Sequence, residues 1–109
     1  MNIATLQKKI LVLAKKKGWG TTPDEVIFAE KIALLHQEVS EALEAYRKGN
    51  IHKRDGLAEE LADIVLRALH LAGIYTIDMT KAIQKKLTRN AKRDWSADQL
   101  YLDKKKRRR

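Results

Sequence analysis

Apolar residues recur every three or four positions along most of this chain, and no segment alternates apolar and polar residues as a half-buried strand does. The first segment shows the pattern clearly, with Ile3, Leu6, Ile10 and Leu13 at helical spacing. The same period, followed along the chain, predicts four helices over about 3–16, 23–48, 56–72 and 79–93. Residues 95–102 are expected to fold back as a short extension.

Capping residues define the predicted helix ends. Gly18 is placed to end the first helix, and Thr22, followed by Pro23 and Glu25, has the order of a capping box that starts the second. Asp55 is a suitable N-cap for the third helix, which Gly73 is expected to close. Asp78 is expected to cap the fourth. Amphipathic helices with short links predict an all-α fold, an antiparallel bundle of four main helices.

The chain has 109 residues, which favours one helical domain, assigned here to residues 1–103. A chain of this size buries only a modest core, so self-association is plausible. It contains no cysteine, has no signal-like start and has no apolar run of membrane-spanning length. These features predict a soluble protein of the cytoplasm that does not associate with membranes.

The formal net charge is +9, and six of the positive charges lie in the last six residues, 104–109. Such a run is typical of a disordered, solvated tail, although it also suits attraction to nucleic acid or an acidic surface. Proteins that bind single-stranded nucleic acid usually stack its bases on aromatic side chains, and no aromatic residue lies within this run. We therefore expect a disordered basic tail and regard nucleic acid as an unlikely partner.

Two pairs of acidic residues carry the clearest chemical signal. Glu38-x-x-Glu41 lies on the predicted second helix and Glu60-x-x-Asp63 on the third. Acids three apart share a helix face, so two packed helices would bring four carboxylates together. Such a cluster requires a cation, and hard oxygen ligands favour Mg²⁺ or Mn²⁺. The pattern predicts a metal-dependent enzyme that handles phosphate groups.

The helical wheel supports burial for only part of this set. At about 100° per residue, Glu38 lies roughly 40° from Leu34, inside an apolar stripe that also includes Val39 and Tyr46. Burial there is costly for a carboxylate without a partner. On the third helix, Glu60 lies at the border of the apolar arc and Asp63 beyond it.

Surface ion pairs are the alternative interpretation of these acids, for example Asp63 with Arg67 one turn later. On periodicity alone, a metal cluster and solvated charge are equally supported. The three histidines do not have the Glu-x-x-His spacing of di-iron bundles, so we do not expect them to bind metal. They are His36, His52 and His70.

The segment from Glu30 to Tyr46, with its ExxE, and the segment from Leu57 to Leu66, with its ExxD, resemble the MazG-like all-α nucleoside triphosphate pyrophosphohydrolases. These are relatives of the dimeric dUTPases and dCTP pyrophosphatases. The resemblance continues through Lys86-x-x-x-Asn90-x-x-Arg93, which is similar to the family's fourth-helix signature. It departs from the family in the longer link 74–78 and in the tail.

The resemblance implies a Mg²⁺-dependent enzyme that hydrolyses a nucleoside triphosphate at the α-phosphorus to the monophosphate and pyrophosphate. Mn²⁺ is an alternative ion, and family members form homodimers or homotetramers. The implied catalytic and metal-binding residues are Glu38, Glu41, Glu60 and Asp63. The implied phosphate-binding residues are Lys86, Asn90 and Arg93. On the helical wheel, Lys31 lies on the same side as Glu38, so it is a candidate for a further phosphate contact or for an ion pair with the acids.

Two further interpretations remain open from the sequence. Trp19, between two glycines, is a candidate for stacking on the base, although a loop Trp is more often a packing anchor. The second is a non-enzymatic helical bundle that binds nucleic acid or protein through its basic fourth helix and tail. Metal-dependent release of pyrophosphate would distinguish the enzyme from the binding protein.

Overall fold

The computed structural model describes residues 1–93, which form four α-helices joined by short links. A 3₁₀ turn precedes the second helix. No strand occurs among the described residues, so the predicted all-α fold is confirmed. The predicted extension at 95–102 and the basic tail lie outside the described residues. The helices are α1 (Ile3–Lys17), α2 (Phe28–Arg47), α3 (Leu57–Ile74) and α4 (Met79–Lys92), and the turn is Pro23–Glu25.

Helix α3 is the central element, because it packs against α2 and also against α1, whereas α4 packs against α1. The contact between α1 and α3 is close at Gly73. A Cβ atom at that position would lie 3.0 Å from three side-chain carbons of Leu11. The glycine therefore allows α1 to approach the backbone of α3.

Two of the predicted caps are confirmed. Gly18 ends α1 in a left-handed conformation with φ of 75°. The side chain of Asp78 accepts the backbone N–H of Lys81 at 3.1 Å at the start of α4. Both residues act through local geometry, which a single sequence can reveal.

The predicted start of α2 was wrong. The carboxylate of Glu25 does accept the backbone N–H of Thr22 at 3.1 Å, but this contact belongs to the 3₁₀ turn. Val26 and Ile27 then adopt extended backbone, and α2 begins at Phe28. Adjacent β-branched residues favour extended backbone, and the side chain of Val26 occupies the space beside Gly20.

Both predicted ends of α3 were also wrong. Gly56 is the N-cap, while Asp55 has φ of 58° and its backbone N–H donates to Glu59 at 2.8 Å. The preceding loop is organised by Asn50, whose side chain bonds to the backbone of residues 53 and 54. At the other end, the helix continues through Gly73 to Ile74, because Gly73 serves helix packing rather than termination.

The buried apolar set of the described residues is small and rich in alanine. It comprises Ile10, Ala14, Ala42, Ala45, Leu69, Ala72 and Ile74. Several large apolar side chains on α2 and α3 remain about half exposed, including Val39, Leu43 and Leu61. No described helix is both long and apolar enough to cross a membrane, and the cytoplasmic location stays a prediction.

Candidate metal and substrate site

Three carboxylates meet where α2 packs against α3. Glu38, Glu60 and Asp63 each offer one oxygen, and these oxygens lie within 4.8 Å of one another. The two glutamates are only 7% and 8% exposed, whereas Asp63 is exposed. We call these three residues the acid cluster. They come from both predicted acidic pairs, which the packing of α2 against α3 brings together.

Small neighbours explain how a charged residue comes to lie inside this interface. Glu38, Ala42 and Ala45 are the buried residues of α2, spaced four and three apart on one face. The two alanines leave room for α3 to approach, and Glu38 is then enclosed at the same depth. The wheel position inside the apolar stripe thus predicted the burial of Glu38 correctly.

Two oxygens of the acid cluster lack partners among the described residues. Oε2 of Glu38 and Oε2 of Glu60 are buried and form no hydrogen bond. Buried polar atoms are nearly always paired, and an unpaired carboxylate oxygen is especially costly. A hard divalent cation supplies the missing contacts for such oxygens. The donor set therefore fits Mg²⁺ or Mn²⁺.

The electrostatics are those of crowded negative charge. Burial, and then the charge of Glu41, raises the pKa of the Glu60 carboxyl, with further contributions from a contact with Glu41 and from the charges of Glu38 and Asp63. Burial and the charge of Glu38 likewise raise the pKa of Asp63, partly offset by Arg67. Without a cation, the fold therefore disfavours full ionisation of the cluster.

Glu41, the fourth predicted acid, lies at the edge of the cluster. It acts on Glu60 through its charge and through side-chain contact. Its Oε1 accepts a hydrogen bond from Nε2 of Gln37 at 3.1 Å, and the residue is exposed. It is thus close enough to influence the cluster but is more accessible to water than the two buried glutamates.

Arg67 places a positive charge beside the acid cluster. Its Nε donates to Oε1 of Glu38 at 2.8 Å. Helical spacing also allows Arg67 to pair with Asp63 on α3, but the observed ion pair crosses to Glu38 on α2. The pairing depends on the register of the two helices, which a single sequence does not reveal.

An open cavity of about 540 Å³ adjoins the acid cluster. Mostly apolar side chains of α1, α3 and the loop after α1 form its wall, and Lys9, Lys31 and Arg67 add positive charge. Glu38 and Asp63 lie at its border. The apolar lining residues are Leu6, Ile10, Leu13, Trp19 and Leu66. A cavity with one apolar wall and one charged wall suits an amphipathic ligand.

The loop that carries Trp19 is fixed from two helices. Nζ of Lys31 donates to the carbonyl of Trp19 at 3.0 Å, and Nε2 of His70 lies 2.8 Å from the carbonyl of Gly20. The rings of Trp19 and His70 are 6.4 Å apart and tilted. Gly20 has φ of 94° and no room for a Cβ beside Val26. The indole, 48% exposed, is thus held at the cavity.

The structure separates the predicted phosphate-binding residues into two groups. Lys31 lines the cavity, although its ammonium group also holds the Trp19 loop. Lys86, Asn90 and Arg93 belong to α4 and its C-cap, and no α4 residue is among those that line the cavity. These three residues are therefore outside the described cavity lining, and their role as phosphate contacts stays a prediction.

Sequence reasoning missed Arg67, His70 and the α1 wall of the cavity. The signal for the first two was present, because Asp63, Arg67 and His70 are spaced four and three apart on one face of α3. Among the described residues, no histidine belongs to the metal-type cluster, and His70 is buried against the loop.

Comparison with protein families gives one assignment. The model of the MazG nucleotide pyrophosphohydrolase domain matches residues 28–96. No curated protein and no solved structure gives a significant match. The family match covers more than half of the chain and includes both helices of the acid cluster, and it favours the enzyme over the non-enzymatic alternative. The chain therefore belongs to the MazG nucleotide pyrophosphohydrolases, a family of hydrolases that act on nucleoside triphosphates.

Proposed function

We propose that this protein is a Mg²⁺-dependent nucleoside triphosphate pyrophosphohydrolase that cleaves between the α- and β-phosphates. The observation that carries the proposal is a buried, unpartnered oxygen on each of Glu38 and Glu60, in a cluster where Glu38, Glu60 and Asp63 each offer one oxygen within 4.8 Å of the others. A protein without a cation at this position gains nothing from two such oxygens. The family match supplies the nucleotide.

The four carboxylates divide into two roles in the proposed mechanism. Glu38, Glu60 and Asp63 would hold Mg²⁺ or Mn²⁺, which neutralises charge on phosphoryl oxygens and lowers the pKa of bound water. Glu41, exposed beside Glu60, is positioned to orient the attacking water and take its proton. Addition of water at the α-phosphorus breaks the bond to the β-phosphate, leaving the nucleoside monophosphate and pyrophosphate.

The cavity is the proposed binding site for the nucleoside part of the substrate. We propose that the nucleoside lies against the apolar wall of α1, with the base near the indole of Trp19. Lys31 faces the same cavity and would contact a phosphate. We propose that Lys86, Asn90 and Arg93 on α4, which are outside the described cavity lining, contact a phosphate that extends beyond the cavity. Pre-positioned charges of this kind lower the barrier chiefly by orienting the triphosphate.

Isotope labelling tests both the reaction and its position. The purified protein is incubated with a panel of nucleoside triphosphates in ¹⁸O-labelled water, with Mg²⁺ or with a chelator. The proposal predicts monophosphate and pyrophosphate only with the metal, and ¹⁸O only in the monophosphate. Label in pyrophosphate, release of inorganic phosphate, or turnover in chelator would contradict it.

We further propose that the functional protein is a homodimer or homotetramer. Val39, Leu43 and Tyr46 are spaced four and three apart on one face of α2, and each is at least half exposed. Leu61 and Val65 form a similar exposed pair on α3. Exposed apolar stripes on adjacent helices are typical of surfaces that bind another chain. A second copy would cover them and enlarge the alanine-rich core.

The mass in solution distinguishes the possible assemblies. Light scattering at micromolar concentration should give two or four times the mass of the chain, 12.5 kDa. Leu43→Lys places a charge in the stripe and should shift the protein towards the monomer, whereas Glu44→Lys on the exposed side should not. A monomeric wild-type protein at these concentrations would contradict this part of the proposal.

A further inference from the structure

Arg67 is the described cation that bonds directly to the acid cluster. Its Nε donates to Oε1 of Glu38 at 2.8 Å, and its charge also acts on Asp63, one turn earlier on α3. Within residues 1–93, no other lysine or arginine forms an ion pair with any of the four acids. Arg67 thus neutralises part of the clustered charge by itself.

The bond to Glu38 uses only one of the two carboxylate oxygens. Oε1 accepts from Arg67, whereas Oε2 is buried and unpartnered. A divalent cation at Oε2 would stand close to the guanidinium, and like charges at short range repel each other strongly in a poorly hydrated site. The ion pair and the cation therefore compete for Glu38.

The guanidinium group of Arg67 can leave Glu38 and turn towards the cavity. The side chain of Arg67 is 40% exposed and lines the cavity, whereas that of Glu38 is 9% exposed. Within the described residues, Arg67 donates only through Nε, so its two Nη groups have no protein acceptor there. A planar group with several free donors suits the oxygens of a phosphate.

We propose that Arg67 is the resident counter-cation of the metal site and becomes a phosphate-binding residue when the substrate arrives. It holds Glu38 while the site lacks a metal, gives up that bond when a divalent cation binds, and then donates to an oxygen of the triphosphate. This inference rests on the proposed function, because it requires a metal and a triphosphate at the acid cluster. It assigns to one residue both the protection of the empty site and the recognition of the substrate.

Binding measurements on Arg67→Met test both proposed roles of Arg67, because the affinities for the metal and for the phosphate should change in opposite directions. Calorimetry with Mn²⁺ alone should show binding about three- to tenfold tighter than in the wild type, because the competing cation is gone. Calorimetry with preformed Mg²⁺-tripolyphosphate should show binding about tenfold weaker, because a charge-assisted bond is lost. Arg47→Met, at the exposed end of α2, is the matched control and should change neither affinity.

Arg67→Lys separates the effect of the charge from that of the guanidinium geometry, and it also serves as the test if Arg67→Met does not fold. This variant keeps the charge but loses the planar fork, so Mn²⁺ should bind as in the wild type while tripolyphosphate binds more weakly. If circular dichroism shows that Arg67→Met does not fold, the lysine variant decides. Weaker Mn²⁺ binding in Arg67→Met would overturn the proposal, since it would mean that Arg67 only orients Glu38. Unchanged tripolyphosphate affinity in both variants would also overturn it.

The wild type separates this failure from failure of the enzyme assignment. A wild-type protein that binds Mn²⁺ and releases pyrophosphate, together with an Arg67→Met variant that resembles the Arg47→Met control, overturns the role of Arg67 alone. A wild-type protein that neither binds Mn²⁺ nor turns over a triphosphate overturns both. In that case, the contact of Arg67 with Glu38 is a permanent ion pair.

Discussion

Helix α3 packs against two neighbours, and the two interfaces differ in chemistry. Towards α2 it contributes Glu60 and Asp63 to a cluster with two unpartnered buried oxygens, which we call the acidic interface. Towards α1 it presents Gly73 to the side chain of Leu11 at close range, which we call the apolar interface. The first lowers the stability of the metal-free protein, and the second raises it.

This difference indicates how one small bundle divides its tasks. A buried carboxylate without a partner costs free energy of folding, so the acidic interface does not serve stability, and in the proposed function it serves binding. Close apolar packing contributes to stability and provides a rigid support for α3. Substitutions at the two interfaces should therefore have opposite signatures, with activity lost at one and stability lost at the other.

The largest expected effect is the loss of activity at the acidic interface. Glu38→Gln or Glu60→Gln should lower kcat by about 10³-fold, since each removes a charged ligand worth several kcal/mol in the transition state. Glu60→Gln should not reduce the thermal stability of the metal-free protein, because the amide is uncharged. Glu38→Gln also removes the charged partner of Arg67 and should lower that stability. Pyrophosphate release and calorimetric unfolding in chelator measure the two effects.

Glu44→Gln is the matched control for this experiment. Glu44 is exposed on α2, where it forms an ion pair with Lys48 at 3.6 Å. An exposed pair of this kind contributes little, so activity and stability should both remain near the wild-type values. If Glu60→Gln kept its activity within the range of this control, the acidic interface would be a structural feature only.

The second effect is a loss of stability at the apolar interface. Gly73→Leu should lower the free energy of unfolding by about 1–3 kcal/mol through overpacking against Leu11. Gly73→Ala should lower it less, because its better helix propensity, worth about 1 kcal/mol, offsets the contact. Urea unfolding measures both. A Gly73→Leu variant as stable as the wild type would show that the interface is not tightly packed.

A third effect concerns pH and has a defined sign. The folded-state pKa values of Glu60 and Asp63 are raised by burial and by neighbouring acids, so the folded protein keeps protons that the unfolded chain releases. Their stabilising contribution is complete below the ordinary carboxyl pKa, about 4, and is lost as the pH rises through the folded values. The metal-free protein should lose this contribution towards neutral pH.

The Glu60→Gln variant isolates this contribution. In chelator, the stability difference in favour of the glutamine variant should widen as the pH rises, while contributions of Asp24 and Glu25, whose pKa values are lowered, cancel between the two proteins. Mg²⁺ at ten times its Kd should then stabilise the wild type by about 1.4 kcal/mol. Urea unfolding at several pH values provides the measurement, and parallel curves in chelator would contradict the prediction.

Local periodicity predicted the acidic interface better than it predicted the cavity. The position of Glu38 within the apolar stripe follows from helical spacing alone, and its burial is confirmed. The same stripe includes Val39 and Tyr46, which are 51% and 63% exposed, because the stripe is wider than the face that α3 covers. The partner of Arg67 depends on how α2 and α3 align, and the start of α2 depends on packing around Gly20, so neither was predictable from local spacing.

The smallest expected effect is a loss of activity on substitution of the basic face of α4. This substitution also tests whether the catalytic site extends to α4. Lys86 is exposed on a helix that packs against α1 and contributes no residue to the cavity lining within residues 1–93. An exposed lysine that contacts a phosphate through water-screened charge should matter modestly, so Lys86→Ala should lower kcat/KM by about threefold. The neighbouring Lys85→Ala, which is outside the resembling motif, should have less effect. A loss approaching that of Glu60→Gln would mean that α4 carries part of the catalytic site, and that the contrast between the two interfaces of α3 describes only half of the functional machinery.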